Sequence, residues 1–358
     1  MPAHPPLATI ARCSGNVHGT AGIDTHCAHG TVVAVTVTRR ELAPFLAQAS
    51  TTRKKPTMFK QAISLFAVLA LAGCAVPFDE EGDENVDAAE EAVTGTNCSS
   101  PSADAKAVQA AMDSVRTKAG MSALTCNNNI RTGAIAHANY QHLNGGTHVE
   151  VSGKSGFYAA NFWERMKKAG FNGPAMSEVI ISGGYGPNVI TGPSGWMNTV
   201  YHRVPFVSYQ AKSYGFGNYG SGASSTHGTI DFSSDGAAAP TTALSYWPMN
   251  GETGVWTTFS CTSESPNPCD SGFNNVGYPL SITGGGTVVL SSHTITGGGV
   301  TIAHWYRTHA FSGYIPTSQV YLLPQTPLAK NTKYTVNLIG TVSGVPFGGS
   351  WAFTTGGI

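Results

Sequence analysis

Charged side chains are scarce in this chain: Lys, Arg, Asp and Glu make up 11% of the 358 residues, and the 20 basic groups are cancelled by 20 acidic ones. Without a basic excess there is no field to hold a phosphate backbone, so nucleic acid is excluded as an expected partner. The chain contains no His-Glu-x-x-His, no Gly-x-Ser-x-Gly and no Pro-Cys-x-x-Cys, which leaves zincin, serine-hydrolase and zinc-deaminase chemistry without a motif. Gly215-Phe-Gly217-Asn-Tyr-Gly220 fits the dinucleotide pattern letter for letter. It is followed by Ser, Gly and Ser and not by a helix, so a strand whose glycines admit a close neighbour is the better account.

Long hydrophobic runs are lacking too. The most apolar stretch, Ala62 to Gly73, would span about 18 Å as a helix against a hydrocarbon core of about 30 Å. Preceded by Met58-Phe-Lys60-Gln and closed by Leu71-Ala72-Gly73-Cys74, it reads as a secretory signal over residues 58–74. The closing four residues resemble the bacterial lipobox, which implies cleavage before Cys74 and acylation of its thiol. Acyl chains contribute about 0.8 kcal/mol per buried CH₂, so multiple chains give a durable anchor. Residues 1–57 are expected to be a mis-called extension upstream of a start at Met58, disordered and without function. Eight acids between Asp79 and Glu91 mark residues 75–97 as a solvated acidic linker.

What the chain has in quantity is glycine, 43 residues, beside a hydrophobic content of 41%. That is enough apolar material for two domain cores and suits loop-rich extracytoplasmic folds. Of the 7 cysteines, four fall as local pairs, Cys98 with Cys126 and Cys261 with Cys269, and an even count in an exported chain argues for disulfides. The chain-entropy model gives about 3 to 4 kcal/mol for the first loop and about 2.5 kcal/mol for the second.

Val108, Ala111, Met112, Val115 and Ala119 repeat at helical spacing between Ser102 and Gly120, a cap and a stop. Further helices are expected from Asn128 to Leu143, Ala159 to Ala169 and Val189 to Val200, then strands at Ser213 to Tyr219 and Gly228 to Phe232. Beyond Asp235 a Gly-Ala-Ala-Ala-Pro linker opens a region without helical period. Its candidate strands are Val255 to Phe259, Leu280 to Ile282, Thr287 to Leu290, Val300 to Tyr306, Gln319 to Leu323, Lys333 to Ile339 and Ser350 to Thr354. The expected fold class is α+β over 98–236, followed by an all-β Ig-like sandwich over 237–358.

Candidate chemistry lies in one ordered series: His137-Ala138-x-Tyr140, His148-x-Glu150, Arg165, Glu178-Val-Ile180, Trp196, His202-Arg203 and Gly215-x-Gly217. With Val115-Arg116-x-x-x-Gly120, Leu124 and Gly170-Phe171, this series resembles a bacterial member of the CAP superfamily: cysteine-rich secretory proteins, antigen 5 and pathogenesis-related 1 proteins, also called the SCP domain. The resemblance implies an α-β-α sandwich whose cleft carries two histidines and acids, matched here by His148, His202 and Glu178, with a divalent cation bound in several members. A second acid is implied one helical turn beyond Trp196, where this chain has Thr199. Two histidines and one carboxylate remain, a set compatible with Zn²⁺ or another divalent cation completed by water.

Structural readings stand beside these. His137 is expected to be a buried imidazole bonded to backbone, and Glu178 a carboxylate neutralised by Arg165 or Arg203. Glu150 is expected to be a supporting, peripheral residue, and Glu164 one face of a solvated helix. The function expected is an exported, lipid-anchored, monomeric envelope protein that binds a small molecule, a lipid, an envelope polymer or a cation, with binding favoured over turnover. The rival is a zinc-dependent hydrolase using His148, His202 and Glu178, and the bland alternative is a surface adhesin.

Overall fold

Ser102 starts the first helix because its side chain accepts from the Ala105 N–H at 3.1 Å, satisfying one of the orphan donors of the first turn. In this computed structural model the residues described are 98–183, 188–193, 195–220, 226–234 and 239–357. The signal-like stretch, Cys74 and the acidic run therefore lie outside the described residues, as does 235–238 of the linker.

The first half is built from α1 (Ala103–Lys118), β1 (Thr125–Cys126), α2 (Asn128–Asn144), α3 (Phe162–Lys168), β2 (Ala175–Ser182), α4 (Asn188–Thr191), β3 (Ser213–Tyr219) and β4 (His227–Ser233). Asn127 caps α2 by accepting from Asn129 and Ile130. The strands form one sheet in the order β1-β3-β4-β2, with β1 parallel to β3 and the other pairs antiparallel.

Alternation sets the two faces of this sheet. Tyr214 and Phe216 on β3, with Ile230 and Phe232 on β4, share a buried cluster with Val108, Met112 and Val115 of α1. Gly215 and Gly217 face the other way, where a Cβ would meet the Arg131 backbone nitrogen of α2 at 2.1 Å and that of Ile135 at 2.3 Å. Here lies the reason for the G-x-G: it lets helix and strand backbones touch, and no phosphate is involved.

The second half is β5 (Leu244–Trp247), β6 (Phe259–Ser260), β7 (Asn275–Val276), β8 (Leu280–Gly284), β9 (Val288–Gly297), β10 (Val300–Thr301), β11 (His304–Arg307), β12 (Gln319–Pro324), β13 (Lys333–Val342) and β14 (Val345–Thr354). Two four-stranded antiparallel sheets, β10-β9-β13-β14 and β11-β12-β8-β5, enclose Val336, Leu338, Ile282, Leu322 and Trp351. The arrangement is all-β and consistent with an Ig-like sandwich.

Several elements depart from the sequence reading. The expected helix from Val189 to Val200 breaks at Gly192-Pro193 into α4 and a 3₁₀ turn, Trp196–Asn198, because proline restricts the residue before it and cannot donate to the preceding turn. The third helix starts at Phe162 instead of Ala159, where Asn161 and Glu164 form a capping box, and Glu164 lies on the exposed face expected of it. Val255 to Phe259 is not a continuous strand: Val255 makes one isolated bridge to Thr355 and pairing begins at Phe259. Val300 to Tyr306 divides into β10 and β11. β1, β2, β5 and β7 had no strand assignment in the sequence.

The described residues, from 98 onward, belong to one compact unit, and its two halves are interlocked. Met112 and Phe206 of the first share a continuous apolar cluster with Trp247 and Tyr278 of the second. Arg203, wholly buried, donates to Pro279 O at 2.7 Å across the junction and stacks its guanidinium 5.0 Å from the Tyr278 ring. Gln319 Nε2 reaches back to Val204 O at 2.9 Å.

Candidate ligand-binding site

α2 delivers His137 beneath the loop that follows the helix, and both ring nitrogens meet acceptors: Nδ1 faces Glu150 Oε1 at 2.9 Å and Nε2 faces Thr147 O at 2.8 Å. Both ring nitrogens of His137 are thus engaged, one by a side chain and one by the backbone. Glu150, with its side chain fully buried, also accepts from the N–H groups of Tyr158 at 2.6 Å and Ala159 at 3.2 Å. Tyr140 Oη accepts from Val151 N at 2.9 Å. Together these bonds fasten the 145–161 loop to α2, and that loop carries His148. The peripheral role expected of Glu150 is corrected: it is the central fastener.

His148 Nδ1 lies 2.9 Å from Glu178 Oε1, while the other Glu178 oxygen accepts from Arg165. The Arg165 guanidinium is wholly buried and donates further to Ala160 O at 3.0 Å and His148 O at 3.4 Å. Burial alone would raise the Glu178 carboxyl; the His148 hydrogen bond and the nearby positive charges of Arg165 and His137 hold it below its ordinary 4.5. The His148 side chain remains 53% exposed although its carboxylate partner is 2% exposed. A buried carboxylate thus orients an imidazole at the surface, and Nε2 is the nitrogen left to meet a ligand or accept a proton.

Opposite Glu178 in the β2–β4 ladder stands Asp231. Its side chain is wholly buried and faces the Glu178 carboxylate. Burial first, then the adjacent Glu178 charge, raise this carboxyl well above its ordinary 3.8. The sequence reading overlooked Asp231, because alternation puts an acid between Ile230 and Phe232 on the face away from their cluster, and only the packing of α2 on that face buries it.

His202 goes elsewhere. Its Nδ1 is 3.0 Å from Glu264 Oε1 of the second half, and the Glu264 carboxylate also accepts from Val200 N, Tyr201 N and His202 N at 2.7, 2.6 and 3.1 Å. Glu264 carried no sequence signal, since it sits far along the chain in an irregular segment. Arg203, expected to support the same cleft, instead bonds Met197 O at 2.7 Å and Pro279 O at 2.7 Å, and ties the two halves together.

A cation held by His148, Glu178 and His202 does not fit this geometry. Both Glu178 oxygens are engaged, each histidine is held through Nδ1 by a different carboxylate, and among the described residues no group of three or more His, Cys, Asp and Glu side chains is arranged to hold a metal ion. Arg165, not Arg203, neutralises Glu178.

Disulfides join Cys98 to Cys126 and Cys261 to Cys269, which fits an extracytoplasmic protein. Among curated proteins, none matches the chain. Residues 109–232 match the model of the cysteine-rich secretory protein family, CAP. That span runs from α1 to β4 and holds His137, His148, Glu178, His202 and Asp231, so the chain carries a CAP domain, joined to a second, all-β module.

Proposed function

We propose that this protein is an exported, lipid-anchored binding protein whose CAP domain presents His148 as the polar contact for a small ligand. The observation that carries the reading is a half-exposed imidazole oriented by a buried carboxylate that Arg165 clamps in turn. Such a contact is pre-organised, so little side-chain entropy is lost when it binds. No nucleophilic side chain hydrogen-bonds to His148 among the described residues, which favours binding over covalent turnover. Lipid anchoring rests on Cys74 and its lipobox-like context.

The test is mass analysis of molecules co-purified with the full chain, alongside His148→Gln. Wild type is expected to retain a ligand that the variant loses; identical content in both overturns the reading. Membrane partitioning of Cys74→Ser tests the anchor separately, and unchanged partitioning contradicts it. A hydrolytic reading is favoured by the same His–carboxylate pairing, which suits a general base. Turnover of a peptide, ester or glycan panel that falls with His148→Gln would support it, and chelation would show whether an added metal takes part.

A further inference from the structure

A groove of about 410 Å³ lies where the CAP domain meets the second module, within the size range of small-molecule sites. One wall is CAP: Ser182, Thr199 and His202 line it. The other belongs to the all-β module, with Ser260, Ser263 and Asn275. Ile180, Trp196 and Phe259 add apolar surface. Among the described residues that line the groove, none is Lys, Arg, Asp or Glu, and His202 is its sole titratable side chain.

The chemistry of His202 is fixed from across this junction. Glu264 is an acceptor-only carboxylate, so the Nδ1 of His202 donates to it at 3.0 Å and Nε2 is left as the ring's remaining polar atom. The Glu264 side chain is fully buried, whereas His202 is 23% exposed. Thr199, the residue after the 3₁₀ turn, lines the groove beside His202, and the acid that faces His202 comes from the second module. Three backbone N–H groups from Val200 to His202 hold that carboxylate, and the Cys261–Cys269 bridge closes the loop on which it stands.

We propose that this groove is a composite binding site for a neutral, polyhydroxylated ligand, an oligosaccharide segment, with His202 as an anchor positioned by Glu264 of the second module. Uncharged hydroxyl and amide groups on both walls suit hydroxyl-rich partners and give an anion or a cation no counter-charge. Apolar surface between them suits the faces of sugar rings. The site is incomplete in a CAP domain alone. It stands apart from the His148 reading, because its wall and its carboxylate come from different residues.

The experiment is calorimetric titration of the full chain with maltotriose, cellotriose, triacetylchitotriose, trigalacturonate and palmitate. Saturable binding of one or more of the three neutral sugars is expected. Asn275→Trp, which fills the groove from an exposed position, should abolish it, and His202→Gln should weaken it about tenfold, the loss of one good hydrogen bond. Thermal melting of each variant checks that it folds, and Asn275→Trp keeps the test open if Glu264→Gln or His202→Gln does not. His148→Gln should leave sugar affinity unchanged even if it abolishes the ligand of the His148 reading. Overturning results are an absence of sugar binding, preference for trigalacturonate or palmitate, or binding that survives Asn275→Trp.

Discussion

Glu178 and Asp231 stand directly opposite each other on neighbouring strands, two buried acids whose carboxyls are shifted in opposite directions, Glu178 down and Asp231 up. The asymmetry comes from their surroundings: Glu178 has Arg165 and His148 as partners, while Asp231 is buried against the Glu178 carboxylate itself.

A pH dependence follows. Folding raises the Asp231 carboxyl above its ordinary 3.8, so above that pH the unfolded chain releases a proton that the folded chain retains, and stability falls as pH rises. The slope is at most about 1.4 kcal/mol per pH unit and ends once the folded group titrates. Asp231→Asn removes it, so its advantage over wild type in urea denaturation should grow from pH 5 to pH 9. A constant difference would contradict the upward shift of the Asp231 carboxyl. Glu178 acts in the opposite sense: held below 4.5, its contribution is present above that value and is lost in acid.

The clamp on Glu178 can be measured as a coupling. Glu178→Gln leaves the Arg165 guanidinium buried beside a neutral group and should cost about 3 to 5 kcal/mol. Arg165→Met should cost a similar amount, yet the double variant should lose less than the sum by about 1 to 3 kcal/mol. Additive losses in chemical denaturation would show that the two side chains act independently.

Close packing of β3 on α2 predicts the fate of its glycines. In Gly217→Ala the new Cβ would stand 2.3 Å from Ile135 N, a backbone atom, so helix and strand must separate, at a cost of about 1 to 3 kcal/mol or more. Gly348→Ala meets nothing nearer than Leu338 O at 3.6 Å and should stay within about 0.5 kcal/mol of wild type. Comparable melting temperatures for the two would refute the contact.

Removing the Cys261–Cys269 bridge by a double serine substitution should lower stability by about 2.5 kcal/mol on the loop-entropy model. Because Glu264 lies within that loop, the His202 ring should also become more mobile, seen as averaged imidazole resonances. A sharp, unchanged His202 signal would show that the backbone bonds to Glu264 suffice without the bridge.

Much of the fold was legible because its signals are local. The Ser102 cap, the apolar period from Val108 to Val115 and the strand at Ser213 to Tyr219 each lie within one segment and appear where the sequence places them. β2 escaped notice because its residues do not alternate cleanly: Ser177, Glu178 and Ser182 interrupt the apolar positions. For the site, the pairing of Glu178 with Arg165 was one of two stated options, and the choice between Arg165 and Arg203 needed three dimensions. His202 could not be placed, since its partner Glu264 is 62 residues away in a module with its own sequence character.

The burial of Arg203 under Tyr278 and Pro279 carries an implication for how this molecule can be dissected or rearranged. A recombinant fragment ending near residue 236 would leave a guanidinium stranded and strip the lid from Phe206 and its neighbours. Grafting a foreign module after β4 would meet the same obstacle. The two halves are obliged to travel together, as a lock travels with its key.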